Sequence, residues 1–227
     1  MATRFYLPSS GTPDVTPSTW NFANQINPLT FKTSTTKIAS AMTTKLEATG
    51  TTNPTARAML RYVSPPLSAQ TISGTVLAQI RAMESNIGAN ATLAIAVKII
   101  QPNGTDRAVL LAQTASDSTA APYELVVSLT NARVYDVAEV QPIALTSQSA
   151  SAGDYLVIEI GFRSATGTTR NISLRYGDAD ASDLPSDTTT TTDNNPYVEL
   201  SGNLTFQSAS GTLSKTLGAL TGSITGA

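Results

Sequence analysis

Thr71-Ile72-Ser73-Gly74-Thr75-Val76-Leu77-Ala78-Gln79-Ile80-Arg81-Ala82 decides the fold class. Ile72, Gly74, Val76, Ala78, Ile80 and Ala82 share one face, and Thr71, Ser73, Thr75, Leu77, Gln79 and Arg81 share the other. Strand side chains alternate between two faces, whereas helix side chains return about every 3.6 residues, so this run is a strand. Gly74, Ala78 and Ala82 lack bulk, which predicts a layer packed closely over it.

The same period continues on both sides. Upstream, Ala58, Leu60 and Tyr62 alternate with Arg57, Met59 and Arg61 before Ser64-Pro65-Pro66 ends the strand. Downstream, the apolar run Leu93–Ile100 predicts a central strand covered on both sides. Asn103-Gly104 then predicts a hairpin turn into a return strand at Ala108–Gln113. Tyr123–Leu129, Arg133–Val137 and Pro142–Thr146 supply further short strands. Tyr155–Arg163 and Thr169–Tyr176 read as a hairpin that sets Ile160 opposite Ile172, Ile158 opposite Leu174 and Leu156 opposite Tyr176. In that register Glu159 lies diagonal to Arg175, close enough for a modest ion pair. Tyr197–Leu200 and Asn203–Gln207 close the domain.

The ends differ in kind. Residues 1–56 carry Pro8, Pro13, Pro17, Pro28 and Pro54 among Ser, Thr, Gly and Asn, the composition of an extended arm. Short strands are expected in it at Phe5-Tyr6-Leu7 and Leu29-Thr30-Phe31, which makes it part of the sandwich. In Lys37–Ala48, Ile38, Met42 and Leu46 recur at helical spacing, but the threonines lower helix propensity and favour a strand. Residues 57–207 form the sandwich core. Of the last twenty residues, Ser208–Ala227, twelve are Ser, Thr or Gly, and four glycines make a helix costly. Leu213, Leu217, Leu220 and Ile224 have no core of their own there and read as a partner-binding arm. The expected fold is all-β: a two-layer antiparallel β-sandwich, jelly-roll-like, with extended N- and C-terminal arms.

Composition removes several functions. The 227 residues include no Cys and no His, which excludes zinc fingers, Cys or His nucleophiles, Ser–His–Asp triads and an imidazole switch. Charged residues are 13%, about half the usual share, while 35 Thr and 24 Ser make up about a quarter of the chain. A net charge of −2 with scattered basic residues argues against a nucleic-acid partner. No apolar run reaches the ~18 residues of a membrane span, and Met1–Pro8 has no signal-peptide core. Synthesis and folding in a reducing cytoplasm are therefore expected.

Few residues remain for chemistry. Asp178, Asp180, Asp183, Asp187 and Asp193 are the acidic cluster that could hold Ca²⁺, with Asp178, Asp180 and Asp183 the weak metal candidates. The cluster lacks an EF-hand pattern, and a solvated loop explains it equally well, so no metal or other cofactor is assigned. Ser34-Thr35-Thr36-Lys37 matches a Ser-x-x-Lys motif without the companion motifs of that enzyme class. Glu84, Glu124, Glu139, Glu159 and Glu199 could supply a glycosidase acid pair, but exposed strand-face glutamates are the default reading, and no catalytic residue is assigned. Trp20, the one tryptophan, reads as an anchor for the N-terminal arm rather than a sugar platform.

Five stretches carry a family likeness: Arg4–Ser10; Arg61–Leu67; Gln70–Val76; Ala152–Arg163; and Leu174–Gly202, with its Arg175-Tyr176-Gly177-Asp178, Ser182-Asp183-Leu184-Pro185 and Asn195-Pro196-Tyr197-Val198-Glu199-Leu200. In these segments the chain resembles a family of tailed-bacteriophage virion proteins. The resemblance implies a structural component with a jelly-roll-like domain and supplies no catalytic residues. The expected role is non-enzymatic: a capsid decoration or cement protein on the virion surface, made in the host cytoplasm. It would contact the major capsid protein or other virion proteins as a dimer or trimer, with no nucleic acid or membrane partner. The alternative is a tail or fibre module that binds host-surface carbohydrate.

Overall fold

A computed structural model describes residues 1–52, 54–115, 124, 125, 127, 133–135, 142–178, 182–184 and 194–207. Among them the elements are strands, apart from one 3-10 turn at Ile87–Ala89. One sheet orders β1 (Thr3–Tyr6), β14 (Tyr197–Leu200), β6 (Thr75–Glu84), β13 (Asn171–Asp178) and β3 (Ser40–Ala48), with β9 (Arg133–Tyr135) and β10 (Ile143–Ala144) paired to β6. A second orders β2 (Asn24–Lys32), β4 (Thr55–Val63), β12 (Tyr155–Ser164), β7 (Ala91–Ile100) and β8 (Asp106–Ala115). β5 (Gln70–Ile72) and β11 (Gln148–Ala150) form a small third sheet.

One apolar core draws on both large sheets. Phe5, Val76, Ala78, Ile80, Ile172, Leu174 and Val198 come from the first, and Leu60, Tyr62, Leu93, Ile95, Val97, Ile158 and Phe162 from the second. Tyr62 carries a polar tip into this core, and its hydroxyl reaches the carbonyl oxygens of Leu7 and Pro8, each at 3.3 Å. Ile72, Val76, Ala78, Ile80 and Ala82 are buried as expected, but Gly74 is exposed where the strand is interrupted. Gly74 takes φ +96°, and a Cβ there would lie 2.3 Å from Ser201 Oγ. The Ser201 hydroxyl accepts the Thr75 N–H at 2.8 Å across this break. The Asn103-Gly104 hairpin forms as expected and joins β7 to β8 antiparallel. Residues 37–48 supply a strand, β3, not a helix.

Four expectations are overturned. β12 and β13 are not a hairpin: β12 lies between β4 and β7, and β13 between β3 and β6, in different sheets. Residues 164–170 carry the chain from the second sheet to the first. There the Ser164 hydroxyl donates to Ala89 O at 2.7 Å, and Arg170 N–H donates to Thr49 Oγ1 at 2.8 Å. Leu156, Ile158, Ile160, Ile172, Leu174 and Tyr176 are all buried, but they meet through the core instead of side by side. Second, the sheets are not wholly antiparallel, because β2 runs parallel to β4.

Third, the alternation in β4 changes phase. Ile160 pairs with Leu60 but Gly161 pairs with Ala58, so Met59 is an extra residue. Met59 joins Leu60 in the inter-sheet core while Ala58 turns to the outer face. The bulge leaves no space at Gly161, where a Cβ would sit 1.9 Å from Arg57 O. Fourth, residues 203–207 form no strand, only a single bridge between Leu67 and Phe206.

Candidate functional site

The second sheet is covered on its outer face by the chain's own residues 15–22. Trp20 and Phe22 pack on Ala58, Ala94 and Ala96, and Val15 packs on Val63, Ile100 and Val157. Backbone bonds hold this strap at the hairpin tip, where Ser18 N–H donates to Gly104 O at 2.9 Å. Beneath it lies a polar cluster on four neighbouring strands, β4, β12, β7 and β8. Lys98 of β7 is fully buried, with Nζ 2.8 Å from both Thr19 O and Thr19 Oγ1, 3.0 Å from Asp106 Oδ1 and 3.7 Å from Glu159 Oε1. Glu159 Oε2 accepts the Asn21 N–H at 2.8 Å. Arg61 stacks its guanidinium 4.0 Å from the Trp20 ring centroid and donates to Thr19 O at 3.2 Å.

Burial pushes the Glu159 carboxyl up, against the opposing pull of the Asn21 N–H, Lys98 and Arg61. Burial also acts to raise Asp106, but the Thr19 hydroxyl and Lys98 outweigh it and hold that carboxyl below its ordinary range. The cluster is a clamp for the strap. Trp20 is the anchor expected of it, while Lys98, Asp106 and Thr19 were not singled out in the sequence. The lysine inside the otherwise apolar Leu93–Ile100 was the available signal, since a buried ammonium requires a partner.

A second cluster forms around Asp183, one of the metal candidates. Asp183 receives Arg4 Nη1, and Lys37 Nζ lies 3.0 Å from its other oxygen. Arg4 Nη2 also reaches Glu199 Oε2 at 2.6 Å, across the β1–β14 ladder where Arg4 faces Glu199. Desolvation raises Asp183, but Lys37 and Arg4 reverse this and hold it below the carboxylate norm. Asp178 is fully buried and engaged elsewhere: it accepts the Ile38 N–H and, at 2.7 Å, an amide N–H of Asn195. Asp183 is thus tied to β1 through Arg4, and Asp178 ties the end of β13 to Ile38 and Asn195; two cations at Asp183 repel a divalent ion. Among the described residues no group of three acidic side chains converges. Asp180, Asp187 and Asp193 lie outside the described residues, as do Leu213, Leu217, Leu220 and Ile224.

The glutamates are not the exposed strand-face residues expected. Glu84 and Glu159 are fully buried, and Glu199 pairs with Arg4. Glu159 and Arg175 lie in different sheets, so the ion pair expected between them does not form; an Arg175 N–H instead reaches Thr44 Oγ1 at 3.1 Å. Glu84 closes β6 on the core side opposite Ile172, and its Oε2 accepts the Ala91 N–H at 2.9 Å. Glu124, beside Thr92, adds a like charge, and Oε1 of each glutamate has no hydrogen-bond partner. Burial first, then Glu124, pushes Glu84 to about 7 despite the Ala91 N–H. Glu139 lies outside the described residues. Ser34 Oγ bonds Thr36 and not Lys37, so the Ser-x-x-Lys match forms no nucleophile–base pair.

Among the described residues no helix is long and apolar enough to cross a membrane. No family model matches the chain, and no curated protein matches it.

Proposed function

We propose that the protein is a non-enzymatic structural component of a virion, most simply a capsid decoration or cement protein with a jelly-roll-like sandwich body. One observation carries this reading: charged side chains that could do chemistry are engaged in holding the protein's own segments together. Arg4, Lys37, Asp183 and Glu199 fasten β1, and Lys98, Glu159 and Asp106 fasten the strap over β4, β12 and β7. A body locked in this way suits a protein that positions others. Residues 3–48 contribute β1, β2, β3 and the strap, which leaves residues 208–227 as the grip on neighbours. Attachment selective for the assembled shell stabilises that shell by mass action.

The carbohydrate-binding alternative loses its natural platform, because the Trp20 ring is stacked against Arg61. The test is attachment to assembled shells by the full chain and by a chain ending at residue 207. The truncated protein is expected to fold and to attach at least tenfold more weakly. Undiminished attachment refutes the reading.

A further inference from the structure

An amine condenses with a carboxyl when three groups are held together out of water: the amine, the carboxyl carbon beside it, and a group that moves protons between them. Lys98 has such surroundings. Its side chain and that of Glu159 are both fully buried, and Asp106 lies on its other side. The sheet register makes the arrangement. Lys98 pairs with Val157 of β12 and Val109 of β8, while Glu159 pairs with Ala96 and Asp106 with Ile100. Glu159 and Asp106 therefore flank Lys98 diagonally from the two neighbouring strands, and residues 15–22 cover all three.

Lys98 Nζ lies 3.0 Å from Asp106 Oδ1, with the carboxyl carbon one bond further on. It lies 3.7 Å from Glu159 Oε1, an oxygen with no hydrogen-bond partner. Thr19 bridges the reacting pair: its Oγ1 accepts from Nζ at 2.8 Å and donates to Asp106 Oδ2 at 2.6 Å. Burial raises the Glu159 carboxyl, which suits it to hold a proton in transit. The other described lysines are placed differently. Lys32 and Lys37 meet Asp14 and Asp183 with their side chains partly in water, and Lys45 meets Glu47 of its own strand.

We propose that the folded chain joins Lys98 to Asp106 by an amide bond, with Glu159 as the catalytic residue. This is one event in each chain, not turnover, and it is independent of the virion role. Glu159 takes a proton from Nζ and passes it to Asp106 Oδ1. Lys98, the nearest cation holding Asp106 ionised, is then neutral, and the burial that raises this carboxyl is opposed only by Thr19 and Arg61. The freed lone pair attacks Cγ. The Nζ–Cγ bond forms, the Cγ–Oδ1 bond breaks, and a second proton from Nζ leaves with Oδ1 as water. An ammonium and a carboxylate thus become a neutral amide and one water, and no other reactant is needed. The Thr19 hydroxyl holds Oδ2, which carries the negative charge while Cγ is tetrahedral and remains as the amide oxygen. Asp106 is partly exposed, which gives the water an exit.

The reaction removes two charges that are costly to keep beneath the strap. Residues 98–106 already form a hairpin, so the bond adds little by closing a loop. Its effect is to fix the tip where Ser18 N–H and Oγ both donate to Gly104 O, at 2.9 and 3.0 Å.

The intact mass of the denatured full chain tests this directly. Allowing for removal of Met1, the chain should weigh one water less than its sequence. Asn103-Gly104 is the sequence's one Asn-Gly bond, and it lies between the linked residues. Hydroxylamine cuts such bonds, so after treatment residues 1–103 and 104–227 should stay joined on a denaturing gel. Both signs of linkage should vanish in Asp106→Ala and fall about tenfold or more in Glu159→Gln, which keeps an acceptor for Asn21 N–H. A wild-type chain of full sequence mass, or one whose halves separate, overturns the proposal without any variant. Water loss that persists in Asp106→Ala, or linkage undiminished in Glu159→Gln, overturns it as well.

Discussion

Replacing Glu84 by Gln separates the electrostatic cost of this residue from its hydrogen bond. The fully buried carboxyl accepts one N–H, from Ala91, and lies near Glu124, which together with burial raises it from 4.5 to about 7. Because the folded value exceeds the unfolded one, the folded chain holds a proton between these limits that the unfolded chain has released. Stability from this group is complete below pH 4.5 and declines as pH rises to about 7. The loss above pH 7 is about 3 kcal/mol, at about 1.4 kcal/mol for each pH unit between the two values. Glutamine keeps an acceptor for Ala91 and never ionises. Urea unfolding at about pH 4.5 and about pH 8 should therefore show the two proteins nearly equal in acid, and E84Q more stable by up to about 3 kcal/mol in base. The difference between proteins cancels the titration of all other groups. An E84Q protein equally destabilised at both pH values would refute the reasoning.

Three further outcomes follow from the packing. Gly161→Ala must displace Arg57 O from 1.9 Å, and loss of more than about 3 kcal/mol, or failure to fold, is expected in thermal melts. Lys98→Met leaves Glu159 buried without its ammonium and should cost about 3–5 kcal/mol, whereas Lys98→Met with Glu159→Leu should recover much of it; equal losses would show that the pair is not coupled. Asp183→Asn removes the negative charge shared by Arg4 and Lys37, and about 1 kcal/mol should be lost at neutral pH. Because Asp183 is held below its ordinary value, that loss should shrink as pH falls through the carboxylate range, and a loss independent of pH would contradict the ion pairs.

Strand positions were legible because period two is local: β4, β6, β7, β8, β12, β13 and β14 all lie where alternation or an apolar run places them. Partners were not legible. Leu156–Phe162 and Ile172–Tyr176 each show a buried face, and that pattern is the same whether the strands neighbour in one sheet or stack across two. The deciding features were distant: β7 and β4 fill both sides of β12. The bulge at Met59 depends on an approach at Gly161 about a hundred residues away, so β4 read alone shows a regular alternation. For the site, Trp20 carried its own signal, an aromatic in a polar arm. Glu159 did not: on a strand with an apolar inner face it reads as exposed, and only residues 19–22 folding over it make it buried.

The strap also explains why the two sheets are unequal as contact surfaces. A sheet with water on one side offers that side to partners, but β4, β12 and β7 have the core on one face and residues 15–22 on the other. Their outer face is therefore interior in all but position, and its charges answer each other beneath the strap. Opening it to bind a neighbour would separate Lys98 and Glu159 from their partners, at a cost no modest interface repays. The first sheet bears no such constraint at β3, where Thr44 and Leu46 already direct main-chain groups outward and a leucine is exposed beside them. Contact at that edge needs no rearrangement of the body, only a chain that brings its own N–H and C=O groups.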